Sequence, residues 1–189
     1  MLIVFVGPPG SGKGTQCELL AQHLGVAHLS TGETFRQQIQ QATKLGQLAA
    51  LFMDDGNLVP DHIVVELVRQ SLGDVQYQTG CLLDGFPRSV AQAQALDAMV
   101  HERGKQIGMV LALAVPQDIL VDRLLQRQRK DDTLDTIQQR LDVYQQETQP
   151  VLAYYQQQGL VVTIDGNGAV EDVFQRIEQA TDLKRTKSL

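Results

Sequence analysis

The stretch Leu2-Ile3-Val4-Phe5-Val6-Gly7-Pro8-Pro9-Gly10-Ser11-Gly12-Lys13-Gly14-Thr15 decides the fold. Its apolar run predicts a first strand, and the helical pattern from Lys13 predicts a helix directly after a glycine-rich turn. Such a turn brings backbone N–H groups up to phosphate oxygens, and the helix N-terminus adds partial positive charge. Lys13 supplies a compact cation to the β- and γ-phosphates. Gly10, Ser11, Gly12, Lys13, Gly14 and Thr15 are therefore the expected triphosphate contacts. The strict pattern wants Ser or Thr directly after the lysine, whereas here Gly14 stands there and the hydroxyl follows at Thr15. Thr15 is a candidate Mg²⁺ ligand, sharing the task with water, the phosphates and a further residue.

Working outward, Asp84 is the candidate for that further residue. It ends the apolar run Cys81-Leu82-Leu83, the position of a carboxylate that orients Mg²⁺ or its waters. Other runs at His28–Ser30, Met109–Val115 and Leu160–Ile164 also predict strands. Met109–Val115 is apolar throughout, as in a strand buried on both faces of a parallel sheet. Helices are expected over Lys13–Leu24, Glu33–Gln41, Lys44–Asp55, Asp61–Leu72, Val90–Glu102, Gln117–Arg127, Thr133–Gln158 and Val170–Ala180, several stopped by a glycine. In the longest, Ile137, Leu141, Tyr144, Val151, Leu152 and Tyr155 share one face, and Pro150 is expected to kink or split it.

Strand–helix alternation implies right-handed βαβ crossovers. The expected fold is α/β: a P-loop three-layer sandwich with about five parallel strands and helices on both faces. Residues 30–59 contain no strand and predict a small helical subdomain projecting from a single domain that spans 1–189.

Composition narrows the function. The 189 residues, 43% apolar, suit one domain with a sizeable core. A net charge of −6 argues against a nucleic-acid partner. No apolar run reaches the ~20 residues of a membrane span, and no signal-peptide pattern precedes Gly7, so a cytoplasmic protein without membrane attachment is expected. Residues 181–189, with the basic cluster Lys184-Arg185-Thr186-Lys187, are expected as a frayed tail. Cys17 and Cys81 make no ligand spacing, so both are expected as packing residues and no zinc is expected. His23, His28, His62 and His101 fall in no motif and are assigned to packing, caps or surface.

Four stretches, taken in order, resemble the adenylate kinases. The loop has that family's Gly-x-Pro-Gly-x-Gly-Lys-Gly-Thr form, including the glycine after the lysine. Leu29-Ser30-Thr31-Gly32-Glu33-Thr34-Phe35-Arg36 is similar to the opening of its monophosphate site, and Gly56-Asn57-Leu58-Val59-Pro60-Asp61 to the segment that closes it. Leu83-Asp84-Gly85-Phe86-Pro87-Arg88-Ser89, followed by Gln92, is similar to its most diagnostic stretch. The resemblance runs from Leu2 to about Ala180.

The resemblance implies that Arg36 and Arg88 bind the AMP phosphate and that Thr31 and Gln92 contact its adenine. Main chain at Asn57, Leu58 and Val59, with Gly85, Phe86 and Pro87, would line that pocket. An arginine fork suits phosphate oxygens, and an amide offers an adenine edge both a donor and an acceptor. Arg123 and Arg127 share a helix face and would attend ATP, while Arg129 and Arg140 would attend the transferring group and AMP. Residues 126–136 would form a short lid, with Asp131 and Asp132 as partners for its arginines. The backbone at Gly168, in Gly166-Asn167-Gly168-Ala169, would read the ATP adenine.

Lys13, Arg36, Arg88, Arg123, Arg127, Arg129 and Arg140 are seven of 16 basic residues, gathered on one proposed cleft of an acidic chain. The implied reaction is ATP plus AMP to two ADP, reversibly, with Mg²⁺ on the nucleotide, and a monomer is expected. Lys13, Arg88, Arg123, Arg129 and Arg140 are the expected catalytic groups. A UMP/CMP kinase on the same scaffold, or a nucleotide sensor without catalysis, are the alternatives. A GTPase switch lacks an Asn-Lys-x-Asp guanine motif.

Overall fold

The computed structural model describes residues 1–127 and 132–186. Five strands, β1 (Leu2–Val6), β2 (Ala27–Ser30), β3 (Cys81–Asp84), β4 (Ile107–Ala114) and β5 (Val161–Asp165), form one sheet in the order β2-β3-β1-β4-β5. All four pairings are parallel. β1 is central, with Val4 opposite Leu83 of β3 on one side and Val110 of β4 on the other.

The apolar run of β1 has a two-sided cause. Leu2, Val4 and Val6 pack into one cluster with Leu96 and Met99 of α5 (Val90–Glu102) and Val151 and Tyr155 of α8 (Gln149–Gln156). Ile3 and Phe5 pack into another with Cys17 and Leu20 of α1 (Lys13–Leu24) and Val173 and Ile177 of α9 (Val170–Thr186). A strand buried on both faces cannot alternate with polar residues. Each such side chain contributes about 1.5–3 kcal/mol of burial. Cys17 and Cys81 are buried free thiols inside these clusters.

Between β2 and β3 lie α2 (Thr31–Gln40), α3 (Lys44–Met53), α4 (Asp61–Ser71) and a 3₁₀ turn at Val75–Tyr77, which the sequence pattern did not suggest. Phe35 of α2, Ala49 of α3 and Val64 and Val68 of α4 tie these helices to the α5 side of the core. α6 (Gln117–Arg127) and α7 (Leu134–Val143) make their own small cluster through Leu120, Leu124, Ile137 and Leu141.

Two expectations need correction. The long helix over Thr133–Gln158 is broken by a π-helical turn at Tyr144–Thr148, and its apolar face divides between two clusters rather than serving one. Pro150 sits in the first turn of α8, where a missing N–H costs nothing, so the irregularity falls before it. Residues 181–186, expected in a frayed tail, continue α9 to Thr186, with Thr181 buried and bonded to the Ile177 carbonyl. Among the described residues no helix is long and apolar enough to cross a membrane.

Candidate functional site

Strand order reverses around β1, so a crevice opens at the carboxyl ends of β1, β3 and β4, where open α/β sheets bind ligands. A cleft of about 1100 Å³ lies there. Gly10, Ser11, Gly12, Lys13, Gly14, Thr15, Asp84 and Gly168 line it. So do Arg36, Asn57, Leu58, Gly85, Pro87, Arg88, Arg123, Arg127 and Arg140. Arg129 and Asp131 lie outside the described residues.

The loop between β1 and α1 has the geometry of an anion cradle. Gly12 caps α1 at φ +90° without any side-chain bond to the first turn, so those N–H groups keep no partner inside the helix. A Cβ at Gly12 would meet nothing within 4 Å, so the left-handed backbone, not crowding, requires glycine. Lys13 folds over the loop: Nζ donates to the carbonyls of Gly7 at 2.6 Å and Pro8 at 2.8 Å, and to Ser11 Oγ at 3.3 Å. Desolvation, opposed by Asp84, draws its pKa down from 10.5 to about 8.

Asp84 ends β3, next to β1 in the sheet. Its Oδ2 accepts from Ser30 Oγ at 3.2 Å, and a Cβ at Gly14 would stand 3.6 Å from the same oxygen. The missing side chain at Gly14 leaves this carboxylate open to the start of α1, where Thr15 is exposed. Among the described residues no three His, Cys, Asp or Glu side chains gather to hold an ion by themselves. A single carboxylate with a nearby hydroxyl fits Mg²⁺, which keeps its waters and takes other oxygens from phosphates.

Around Arg88 the cations of the cleft crowd. Arg36 pairs with Glu33 at 2.9 Å, and Arg88 Nε donates to the Gly85 carbonyl at 2.8 Å. Gly85 has φ +78°, and a Cβ there would lie 2.9 Å from Thr31 Oγ1 and 3.0 Å from Arg88 Nη2, so both conformation and space demand glycine. Desolvation first, opposed by Asp84, and then the charges of Arg140 and Arg36 lower the pKa of Arg88 from its ordinary value. An arginine stays charged regardless, so this cluster favours an incoming anion.

Arg127 and Arg140 meet at Asp132. Arg127 donates to both carboxylate oxygens, at 2.9 and 2.7 Å, and Arg140 Nη1 to Oδ1 at 3.0 Å, with the Asp132 side chain fully covered. α7 also touches the segment after α3: Gln139 Nε2 donates to Asn57 Oδ1 at 3.0 Å and Arg140 Nη2 to the Met53 carbonyl at 3.4 Å. On the other flank Arg123 Nη1 donates to the Gly166 carbonyl at 3.2 Å.

A family model described as "Adenylate kinase" matches residues 5–160. The chain is 47% identical to an adenylate kinase of Mycobacteroides abscessus over 180 residues, covering 95% of this chain and 98% of the relative. It is 45% identical to that of Nocardia farcinica over 180 residues, with coverage of 95% and 98%. Against the adenylate kinase of Streptomyces avermitilis identity is 43% over 217 residues, covering 98% of each chain. The chain belongs to the adenylate kinase family.

Not every residue that the adenylate kinase resemblance nominates reaches the cleft wall. Thr31, Val59, Phe86 and Gln92 are buried, and none of them lines it. The polar two are engaged within the fold: Thr31 Oγ1 donates to the Gly85 carbonyl at 2.9 Å, and the Gln92 amide bonds Asp61 and the Arg88 main chain. His28, assigned to packing, caps or surface, lines the cleft with Nε2 buried and without a hydrogen-bond partner among the described residues.

Other residues of this adenylate kinase site gave no sequence signal. Arg176 of α9 donates to the carbonyls of Asp165 and Asn167, both at 2.7 Å, and so braces the loop before Gly168. Gln16 Nε2 donates to the Val170 carbonyl at 2.9 Å, tying α1 to α9. Thr148, in the π turn, donates to the Arg88 carbonyl at 3.0 Å. The Gln16 and Thr148 contacts span 154 and 60 positions, which local patterns do not encode, and those of Arg176 depend on how α9 docks beside the loop.

With Lys13 as the expected triphosphate contact, its depressed pKa predicts a pH-dependent affinity. Phosphate favours the charged ammonium, so binding above pH 8 must take up a proton that the free protein has released. ATP affinity measured by calorimetry is expected to be flat from pH 6.5 to 7.5 and to fall above pH 8 by up to roughly tenfold per pH unit. Proton uptake should accompany binding in that upper range, and Lys13→Met should abolish both effects.

Proposed function

We propose that this cleft transfers the terminal phosphoryl group of Mg-ATP to AMP, giving two ADP, and that it runs equally in reverse. One observation carries the reading: Lys13 with the phosphate loop, Arg36 and Arg88, and Asp84 all line one cleft, and Lys13 and Arg88 both feel the charge of Asp84.

Gly10, Ser11, Gly12, Lys13, Gly14 and Thr15 hold the triphosphate, with Arg123 and Arg127 beside it and the main chain at Gly168 against the adenine. Arg36 and Arg88 hold the AMP phosphate. Main chain at Asn57 to Val59, with Gly85, Phe86 and Pro87, borders the acceptor base. Thr31 and Gln92 meet that base with the hydrogen-bonding capacity their bonds to the fold leave over: Gln92 keeps a second lone pair on Oε1 and a second proton on Nε2. Arg140 and Arg129 steady the transferring group. Residues 30–59 act as the AMP-binding excursion and residues 126–136 as a short lid.

The AMP phosphate is already an anion, so its oxygen attacks the γ-phosphorus without a general base while the bond to the ADP leaving oxygen breaks. Catalysis is then alignment plus charge compensation by Lys13 and the arginines. Bound Mg²⁺ would supply further charge compensation to the phosphates. Asp84 would hold it through water, with Thr15 close by. Closure over both nucleotides must exclude water, because a trapped water would hydrolyse ATP. The protein is read as a cytoplasmic monomer with adenine nucleotides, and no nucleic acid, as its partners.

A coupled assay with AMP, CMP, UMP and GMP as acceptors tests this. AMP is expected to lead the others by at least roughly 100-fold in kcat/KM. Comparable turnover with CMP or UMP would reassign the site to pyrimidine nucleotides. No turnover with any acceptor would make it a sensor.

A further inference from the structure

Asp61 opens α4, and its carboxylate faces the turn between β3 and α5. Oδ2 accepts from Ser89 Oγ at 2.8 Å and Oδ1 from Gln92 Nε2 at 2.6 Å. The other end of that amide, Gln92 Oε1, accepts from the Arg88 main-chain N–H at 2.7 Å. Ser89 Oγ also accepts from the Gln92 N–H at 3.1 Å, capping α5. Ser89 and Gln92 are 8% and 1% exposed, so water competes little for these bonds.

Two donors, a hydroxyl and an amide, converge on Asp61. A carboxylate accepts both without having a proton to place, whereas an asparagine offers one acceptor and one donor. The amide of Gln92 is thereby fixed at both ends. Turning it over would set its NH₂ against the Arg88 N–H and its oxygen against the Asp61 carboxylate. The link from Asp61 through Gln92 ends on the backbone of Arg88, the root from which that guanidinium enters the cleft.

We propose that Asp61 is a positioning residue of the acceptor site: it locks the Gln92 amide and, through it, sets where Arg88 meets the acceptor phosphate. This rests on the acceptor-site reading above. Asp61 ends the segment Gly56 to Asp61 but does not line the cleft, so its effect is transmitted through Ser89 and Gln92.

Steady-state kinetics of the full chain, with AMP and ATP varied in turn, separate the possibilities. Asp61→Ala is expected to raise KM for AMP by roughly 10–30-fold, the effect of leaving buried donors unpaired. KM for ATP should stay within about twofold and kcat at saturation within about threefold. Asp61→Asn keeps an oxygen for Gln92 and should raise KM for AMP only about threefold. A role confined to stability would lower the active fraction and leave KM for AMP at its wild-type value, which overturns the proposal.

If Asp61→Ala does not fold, Ser89→Ala and Asp61→Asn carry the test. Each should raise KM for AMP about threefold with KM for ATP unchanged, and no rise in either overturns the proposal. Arg88→Ala is the control. If Arg88→Ala raises KM for AMP and Asp61→Ala does not, Asp61 alone is misassigned. If Arg88→Ala leaves KM for AMP unchanged, the acceptor-site reading falls, and Asp61 with it.

Discussion

Replacing Lys13 with methionine is expected to lower the phosphoryl-transfer rate by roughly 10²–10³-fold, the usual consequence of removing one donor aimed at charge in the transition state. Methionine keeps the length of the side chain, so the loop is not emptied. What goes is the ammonium that donates to the Gly7 and Pro8 carbonyls at 2.6 and 2.8 Å. These contacts place Nζ over the cradle before any nucleotide arrives, and phosphate oxygens then compete for its three protons. The loss should appear in kcat, measured in a single turnover with both nucleotides saturating. A rate within tenfold of wild type would contradict the role given to this lysine.

Arg88→Ala is expected to act on the other substrate. Two charge-assisted hydrogen bonds to phosphate, at about 1.5 kcal/mol each, correspond to roughly 100-fold or more in KM for AMP. ATP affinity should stay within about twofold, since the loop from Gly10 to Thr15 is untouched. Part of the attraction survives through Arg36 and Arg140, which share the cluster. Those two remaining cations are why the loss should stop short of complete. Equal losses in both affinities would mean that Arg88 supports the fold of the cleft rather than the acceptor.

Legibility in the sequence followed the range of each interaction. β1 and the phosphate loop were readable because the loop's chemistry is contained in the residues from Gly7 to Thr15 and β1 is buried on both faces. Asp84 was readable from its place at the end of an apolar run, and it does lie beside the loop. Asp132 was expected to meet the lid arginines, and it holds Arg127 and Arg140. Gln92 shows the limit. Its motif identified the residue, but its bond to Asp61, 31 positions away, depends on how α4 approaches the turn after β3. Periodicity reports which face of a helix is covered and not which donor a distant acceptor will find. Arg176 is one basic residue among several on polar helix faces until α9 is docked against the loop it braces.

The π turn at Tyr144–Thr148 works as a phase shifter in the helix pair that it joins. Each such turn takes in one residue more than an α-turn, which rotates everything beyond it by about 100° around the axis. Upstream, Ile137 and Leu141 face α6, while downstream Val151 and Tyr155 face the sheet and α5. A uniform helix could not keep both alignments. The slipped turn lets one length of chain serve two partners with different angular settings, and Thr148, at the slip, is the residue that reaches the Arg88 carbonyl. The spacing of this helix is therefore counted in whole residues: a single deletion within the turn would return it to ordinary α-helix and leave Val151 and Tyr155 facing the core, whereas straightening it with every residue kept would rotate both by about 100° away from it.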